Sequence, residues 1–225
     1  MRFLEKIWMI VWKDLVVELR TKEILSSMLV FSLLVMVIFN FAFQGERIDL
    51  KRLAPGILWV AFTFAGILGL SRSFIFEKDE HCLEGLLLSP VDGGSIYLGK
   101  MLANLVFISV AEAIIFPIFA VFFDFNVFYL VPKLWLVFFL GSLGFSSVGT
   151  ILSAISVNTR AREVMLPILL FPILVPVIIG AVKSTSSILN GSSLAEISSW
   201  LKLLAVFDII FLVISFLSFD FIIEE

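Results

Sequence analysis

The side chains able to do chemistry here are few: Glu112 and Asp208, each inside an apolar run, and the adjacent pair His81 and Cys82 in a short polar stretch. His81 is the single histidine and Cys82 the single cysteine, so the chain has no internal disulfide, thiolate cluster for zinc or C-x-x-C-H haem attachment. A solvated loop suits His81 better than haem or metal ligation, which needs a shaped pocket. Gly99-Lys100 is followed by Met101, which leaves no phosphate-binding G-x-x-x-x-G-K-[ST] loop, and the chain cannot hydrolyse ATP unaided. No nucleophile and base are paired, so catalysis by this chain alone is not expected. The two buried acids allow two readings. An intramembrane carboxylate marks a pathway or relay, or it is a carboxylic acid hydrogen-bonded to a neighbouring Ser or Asn.

The elements that must position these residues are membrane helices. Apolar residues make up 60% of the 225, the mean hydropathy is +1.12, and a soluble domain needs only about 45 to 50%. Six stretches each approach the ~20 residues that cross a ~30 Å hydrocarbon core: Ile24 to Phe43, Pro55 to Phe76, Ile96 to Phe123, Trp135 to Val157, Val164 to Val182 and Trp200 to Ile223. The expected fold is an all-α membrane protein forming one permease domain over residues 1–225. Before the spans, Arg2, Lys6, Lys13 and Arg20 share one helical stripe, with Leu4, Trp8, Val11, Leu15 and Leu19 opposite. Residues 1–22 therefore read as an amphipathic helix lying among lipid headgroups. The first span follows this charged segment rather than a short basic leader, so it is expected to remain as an anchor.

Within the spans, Pro55 stands where a helix start tolerates its missing N–H, and Pro117 lies beyond Glu112 in span three. Span four carries Ser142, Ser146 and Thr150 at four-residue spacing among Gly141, Gly144 and Gly149. Such spacing lets another helix approach closely, inside one subunit or across a dimer. Pro167, Pro172 and Pro176 favour kinks in span five, and a Ser-rich loop is expected from Lys183 to Ser199. Lys and Arg gather on the N-terminal side, which places both termini in the cytoplasm. Trp59, Trp135 and Trp200 would then mark the outer interface, and Trp8 and Trp12 the inner one. A net charge of −3 with no basic patch argues against nucleic acid.

Between spans two and three lies E-K-D-E-H-C-L-E-G-L-L-L-S-P, residues 77–90. Acids crowd its first turn, leucines recur at helical spacing, and Ser89-Pro90 stops it, which describes a short amphipathic helix. This patch, Glu80-x-x-Leu83-Glu84-x-Leu86-Leu87-x-x-Pro90, together with the basic N-terminus and six spans, resembles permeases of the type 2 ABC exporter class. Arg-Leu-Ala-Pro-Gly-Ile-Leu-Trp-Val from Arg52 to Val60, followed by the patch and Leu98-Gly99-Lys100, resembles the haem exporter protein B (CcmB) family of cytochrome c maturation. Relatives more often carry Gly and Ser or Thr where this chain has His81 and Cys82.

The resemblance implies an inner-membrane subunit that binds no cofactor itself and draws on ATP through a separate CcmA-type ATPase. A second copy of the chain, a CcmC-type haem-handling protein and a small CcmD-type subunit are implied as partners within the lipid membrane. Haem is the implied substrate, either carried or delivered through release of a haem-loaded chaperone without transport by this chain. A type 2 permease for lipid, polysaccharide or drug is an alternative, as is a secondary transporter using Glu112 and Asp208. The implied coupling helix carries Glu80, Leu83, Glu84, Leu86 and Leu87, whose apolar ridge suits a groove on the ATPase. Replacing Leu83 and Leu86 with Asp is expected to uncouple the ATPase while the permease still inserts. Copurification of normal amounts of ATPase with normal cytochrome maturation would show that the coupling site lies elsewhere.

Overall fold

The structure is a computed structural model that describes residues 3–43, 50–79, 91–125, 130–157, 159, 161–193 and 195–223. Glu80, His81, Cys82, Leu83, Glu84, Leu86 and Leu87 lie outside the described residues. The described chain is all helical: α1 Phe3–Thr21, α2 Glu23–Phe43, α3 Leu50–Asp79, α4 Gly93–Phe122, α5 Val131–Val157, α6 Arg162–Leu189 and α7 Ser198–Ile223. Helices α2 to α7 are each long and apolar enough to span a membrane, and α1 precedes them as expected. The protein is a multi-pass membrane protein.

Helix α5 is the axis of the bundle, touching α3, α4, α6 and α7. Its small residues make this possible: Gly141 receives the Trp59 ring, Gly149 receives Leu70, and Gly66 of α3 receives Phe145 of α5. Ser142, Ser146, Ser147, Thr150 and Ser153 are all buried. The small-residue face of span four is thus spent on packing within this chain. Around it, Phe138 meets Trp59, Phe62 and Phe116 edge-on, with ring centroids 6.0, 5.3 and 5.2 Å apart, an arrangement favoured by the ring quadrupoles.

Trp59 therefore does not face outward as an interfacial tryptophan would. It is buried, and its Nε1–H donates to Thr185 Oγ1 at 3.0 Å. Trp135, by contrast, is exposed on the bundle surface. The same Trp59 bond bears on a second correction, because Thr185 belongs to α6. The loop expected from Lys183 is helical to Leu189, with Ser184, Thr185 and Ile188 fully buried. Polar composition suggested a loop, but contact with α3 supplies the hydroxyl of Thr185 with a partner and keeps the helix going. Just past its end stands Gly191, whose φ of +87° favours glycine. Pro167, Pro172 and Pro176 all lie within this one helix.

Helix α1 has two apolar faces. Leu4, Trp8, Trp12 and Leu19 point outward, whereas Ile7, Ile10 and Val11 are buried and continue into the buried acids Asp14 and Glu18. Ile10 packs on Gly99 of α4. Val11, expected on the outward stripe, thus belongs to the inward one, and α1 rests on protein while exposing a second apolar face. Lys100 is buried beside it, its Nζ 2.8 Å from Asp14 Oδ2 and 5.6 Å from the centre of the Phe74 ring. The Asp14 contact is an ion pair. Glu18 accepts from the backbone N–H groups of Ile24 and Leu25, at 3.3 and 2.8 Å, and so caps α2 from the preceding helix. Lys22, at φ 56°, is the single residue that turns one helix into the next.

The start of α4 is held at the same end. Asp92 caps it by accepting from the Ser95 N–H and hydroxyl at 3.1 and 2.9 Å, and Lys6 of α1 lies 3.2 Å away. Partial burial pushes the Asp92 carboxyl up, but these donors together hold it below the ordinary aspartate value. Removing one member of a buried pair strands the other, so Asp14→Asn is expected to destabilise the chain by about 3 to 5 kcal/mol. Asp14→Leu combined with Lys100→Met should recover most of that loss, as read by thermal unfolding in detergent.

Candidate functional site

The polar groups of the spans are concentrated where α4, α5 and α7 meet. Helices α4 and α5 run antiparallel and are joined at two levels. Asn104 Nδ2 donates to Thr150 Oγ1 at 3.1 Å, and Ser142 Oγ donates to Glu112 Oε1 at 2.6 Å. The partners advance in step, since 112 − 104 and 150 − 142 are both 8 residues. Eight residues of helix place the two bridges about 12 Å apart along the seam. Nearer the α1 end, the Tyr97 hydroxyl donates to the Ser147 carbonyl at 3.1 Å while its ring packs on Phe219 of α7.

Glu112 is 3% exposed and its described donor is the Ser142 hydroxyl. This is the hydrogen-bonded arrangement weighed above for a membrane carboxylate, and it sits on the α4 side of α5. Asp208 approaches α5 from α7. It is also 3% exposed, and neither carboxylate oxygen has a hydrogen-bond partner among the described residues. Gly144 makes room for it, because a Cβ there would stand 2.5 Å from Asp208 Oδ1. Ser142 and Gly144 are two residues apart, which turns their Cβ directions by about 200°. The two acids therefore meet different faces of α5 instead of forming a pair.

Chemically, the seam offers carboxyl, carboxamide and hydroxyl groups at membrane depth. It can hold a polar group, or exchange its internal hydrogen bonds when helices separate. It presents no thiol or imidazole, and no group of three acidic, His or Cys residues suited to a metal occurs among the described residues. The structure brings Glu112 and Asp208 to one helix and leaves the Glu80 to Leu87 ridge outside its description.

Asp14, Glu18, Asn104 and Tyr97 were passed over in the sequence, as was the pairing role of Lys100. For α1 a signal was present. Ile7, Val11, Asp14 and Glu18 recur at helical spacing, so two acids extend an apolar stripe, a pattern that asks for a buried cation and for N–H donors.

Residues 5–224 match the family described as CcmB protein. A heme exporter protein B from Haemophilus influenzae is 29% identical over 189 residues, covering 82% of this chain and 81% of that protein. The protein of the same name from Pseudomonas aeruginosa is 30% identical over 155 residues, 69% of each chain. That from Rhodobacter capsulatus is 28% identical over 169 residues, 74% of this chain and 76% of the relative. The family match runs through every span, the polar seam and the segment between α3 and α4, and the chain belongs to the CcmB family.

Proposed function

We propose that this chain is the membrane permease subunit of an ATP-driven haem export and cytochrome c maturation complex. The carrying observation is the family match over residues 5–224, in a six-span chain whose relatives bear the name heme exporter protein B. Those names favour haem over lipid, polysaccharide or drug. The subunit sits in the inner membrane as a single domain with both termini cytoplasmic, an orientation supported by its Lys and Arg distribution. It works with a separate CcmA-type ATPase, a second copy of itself, and CcmC-type and CcmD-type membrane proteins. The ATPase docks on the apolar ridge of Leu83, Leu86 and Leu87, flanked by the acids Glu80 and Glu84.

Two mechanisms fit that assignment. The complex moves a haem-related substrate, or it uses ATP to release a haem-loaded chaperone. The second is favoured by the packing of α5, where Trp59 fills Gly141 and Leu70 fills Gly149, so passage through one subunit requires its helices to part. Reconstituted vesicles containing the complex and the chaperone separate the two. Chaperone release without ATP-dependent haem movement is the expected result, and haem accumulation tied to ATP hydrolysis would establish transport.

Glu112 supplies the test of the seam. In Glu112→Gln the side-chain oxygen still accepts from Ser142, so cytochrome maturation is expected to stay near the unmodified level. Glu112→Leu leaves the Ser142 hydroxyl without its acceptor and should cost about 1 to 3 kcal/mol of stability. Loss of maturation in the Gln variant at normal stability would instead assign Glu112 to a relay that needs a carboxylate.

A further inference from the structure

At the α1 end a cavity of about 80 Å³ opens between α1, α2, α3 and α4, with Lys13, Glu18, Glu23, Arg72 and Lys100 in its wall. Further along the bundle an apolar groove of about 180 Å³ runs between α2 and α4, lined by Leu29, Val30, Leu33, Met36, Ile114 and Ile118. Helical register sets the two in line along a crevice between α2 and α4. Lys100, Phe107 and Ile114 follow one another at seven-residue intervals on α4, as Glu23 and Val30 do on α2, and seven residues are close to two helical turns. From Lys100 to Ile114 the helix rises about 21 Å, roughly one leaflet of a bilayer with its headgroups. The outward Leu4, Trp8, Trp12 and Leu19 of α1 set the charged end at headgroup level.

The charges specify the headgroup. Asp14 is engaged by Lys100 and lies 3.3 Å from Lys13, and Glu18 is engaged by the N–H groups of α2. At the rim, Arg72 and Glu23 stand 3.8 Å apart with side chains 51% and 62% exposed. A cation and an acid side by side, with Lys13 behind them, complement a zwitterion better than an anion. Haem would bring two carboxylates toward Glu18 and Glu23 and a rigid macrocycle toward a cavity of about 80 Å³.

We infer that this crevice binds one glycerophospholipid with a primary-amine headgroup. Its phosphate lies against Arg72 and Lys13, its ammonium against Glu23, and an acyl chain fills the groove between α2 and α4. The site is independent of the proposed transport function.

The test uses the full-length chain in nanodiscs of phosphatidylethanolamine mixed with phosphatidylglycerol. Lipid retained after stepwise delipidation is then counted by native mass spectrometry. Preferential retention of phosphatidylethanolamine is expected. Arg72→Gln should lower that retention by about threefold to fivefold, the size of one partly exposed charge pair. Glu23→Gln should shift the preference toward phosphatidylglycerol, and Leu33→Trp, which fills the groove, should lower retention of both lipids. Both rim side chains are exposed, so helicity should match the unmodified protein. Equal retention of the two lipids by that protein, or an unchanged pattern in both rim variants, would overturn the inference.

Discussion

Hydrocarbon offers no hydrogen-bond partners, so a polar group placed at membrane depth is costly unless it finds one inside the protein. The arrangement of this bundle follows from that constraint. Helix α5 carries the hydroxyls and glycines, and four helices close on it. Ser142 meets Glu112, Thr150 meets Asn104, and the glycines let the Trp59 ring and Leu70 reach the α5 backbone. Close approach and polar pairing are one solution here, since glycine shortens the distance that hydroxyl and carboxamide must bridge.

The α1 end solves a different problem, because charges there are numerous and only partly withdrawn from water. Asp14 and Lys100 neutralise one another under α1, Glu18 serves the open N–H groups of α2, and Asp92 serves those of α4 while facing Lys6. Each bond joins α1 to a membrane helix or caps the start of one. The segment that looked like a float on the membrane surface is thereby fixed to the bundle. Its outward Trp8 and Trp12, with ring centroids 6.4 Å apart, remain exposed.

The six spans were legible in the sequence because length and hydropathy are local properties, and five span starts fell within about four residues of the observed ones. The exception was α3, which begins at Leu50 rather than at Pro55. What escaped was decided by contact between distant segments. Trp59 resembles an interfacial tryptophan until Thr185, 126 residues away, is seen to accept its N–H. Residues 183–189 look like a loop until the same contact shows what holds them helical. The face of Ser142, Ser146 and Thr150 could have served a dimer, and nothing short of the neighbouring helices could assign it to one subunit. For the candidate site, Glu112 and Asp208 stood out by charge alone. Their separation onto different faces of α5 depends on how α4 and α7 flank it.

Helix α4 is where these threads join. It begins just after residues 77–90, rests on α1 through Lys100 and Ile10, and ends beyond the seam with α5. Its attachments differ in strength along its length. Stranding either partner of the Asp14–Lys100 pair would cost about 3 to 5 kcal/mol, whereas a hydrogen bond of the seam contributes about 0.5 to 3 kcal/mol, the upper end applying to a charged acceptor. In the proposed assembly, an ATPase pushing on the segment between α3 and α4 therefore acts on a helix clamped near its start and lightly held further on. The cheaper movement pivots α4 about its α1 contact and parts it from α5 at the level of Glu112 and Ser142. That places the polar groups of the seam where such a movement would expose them.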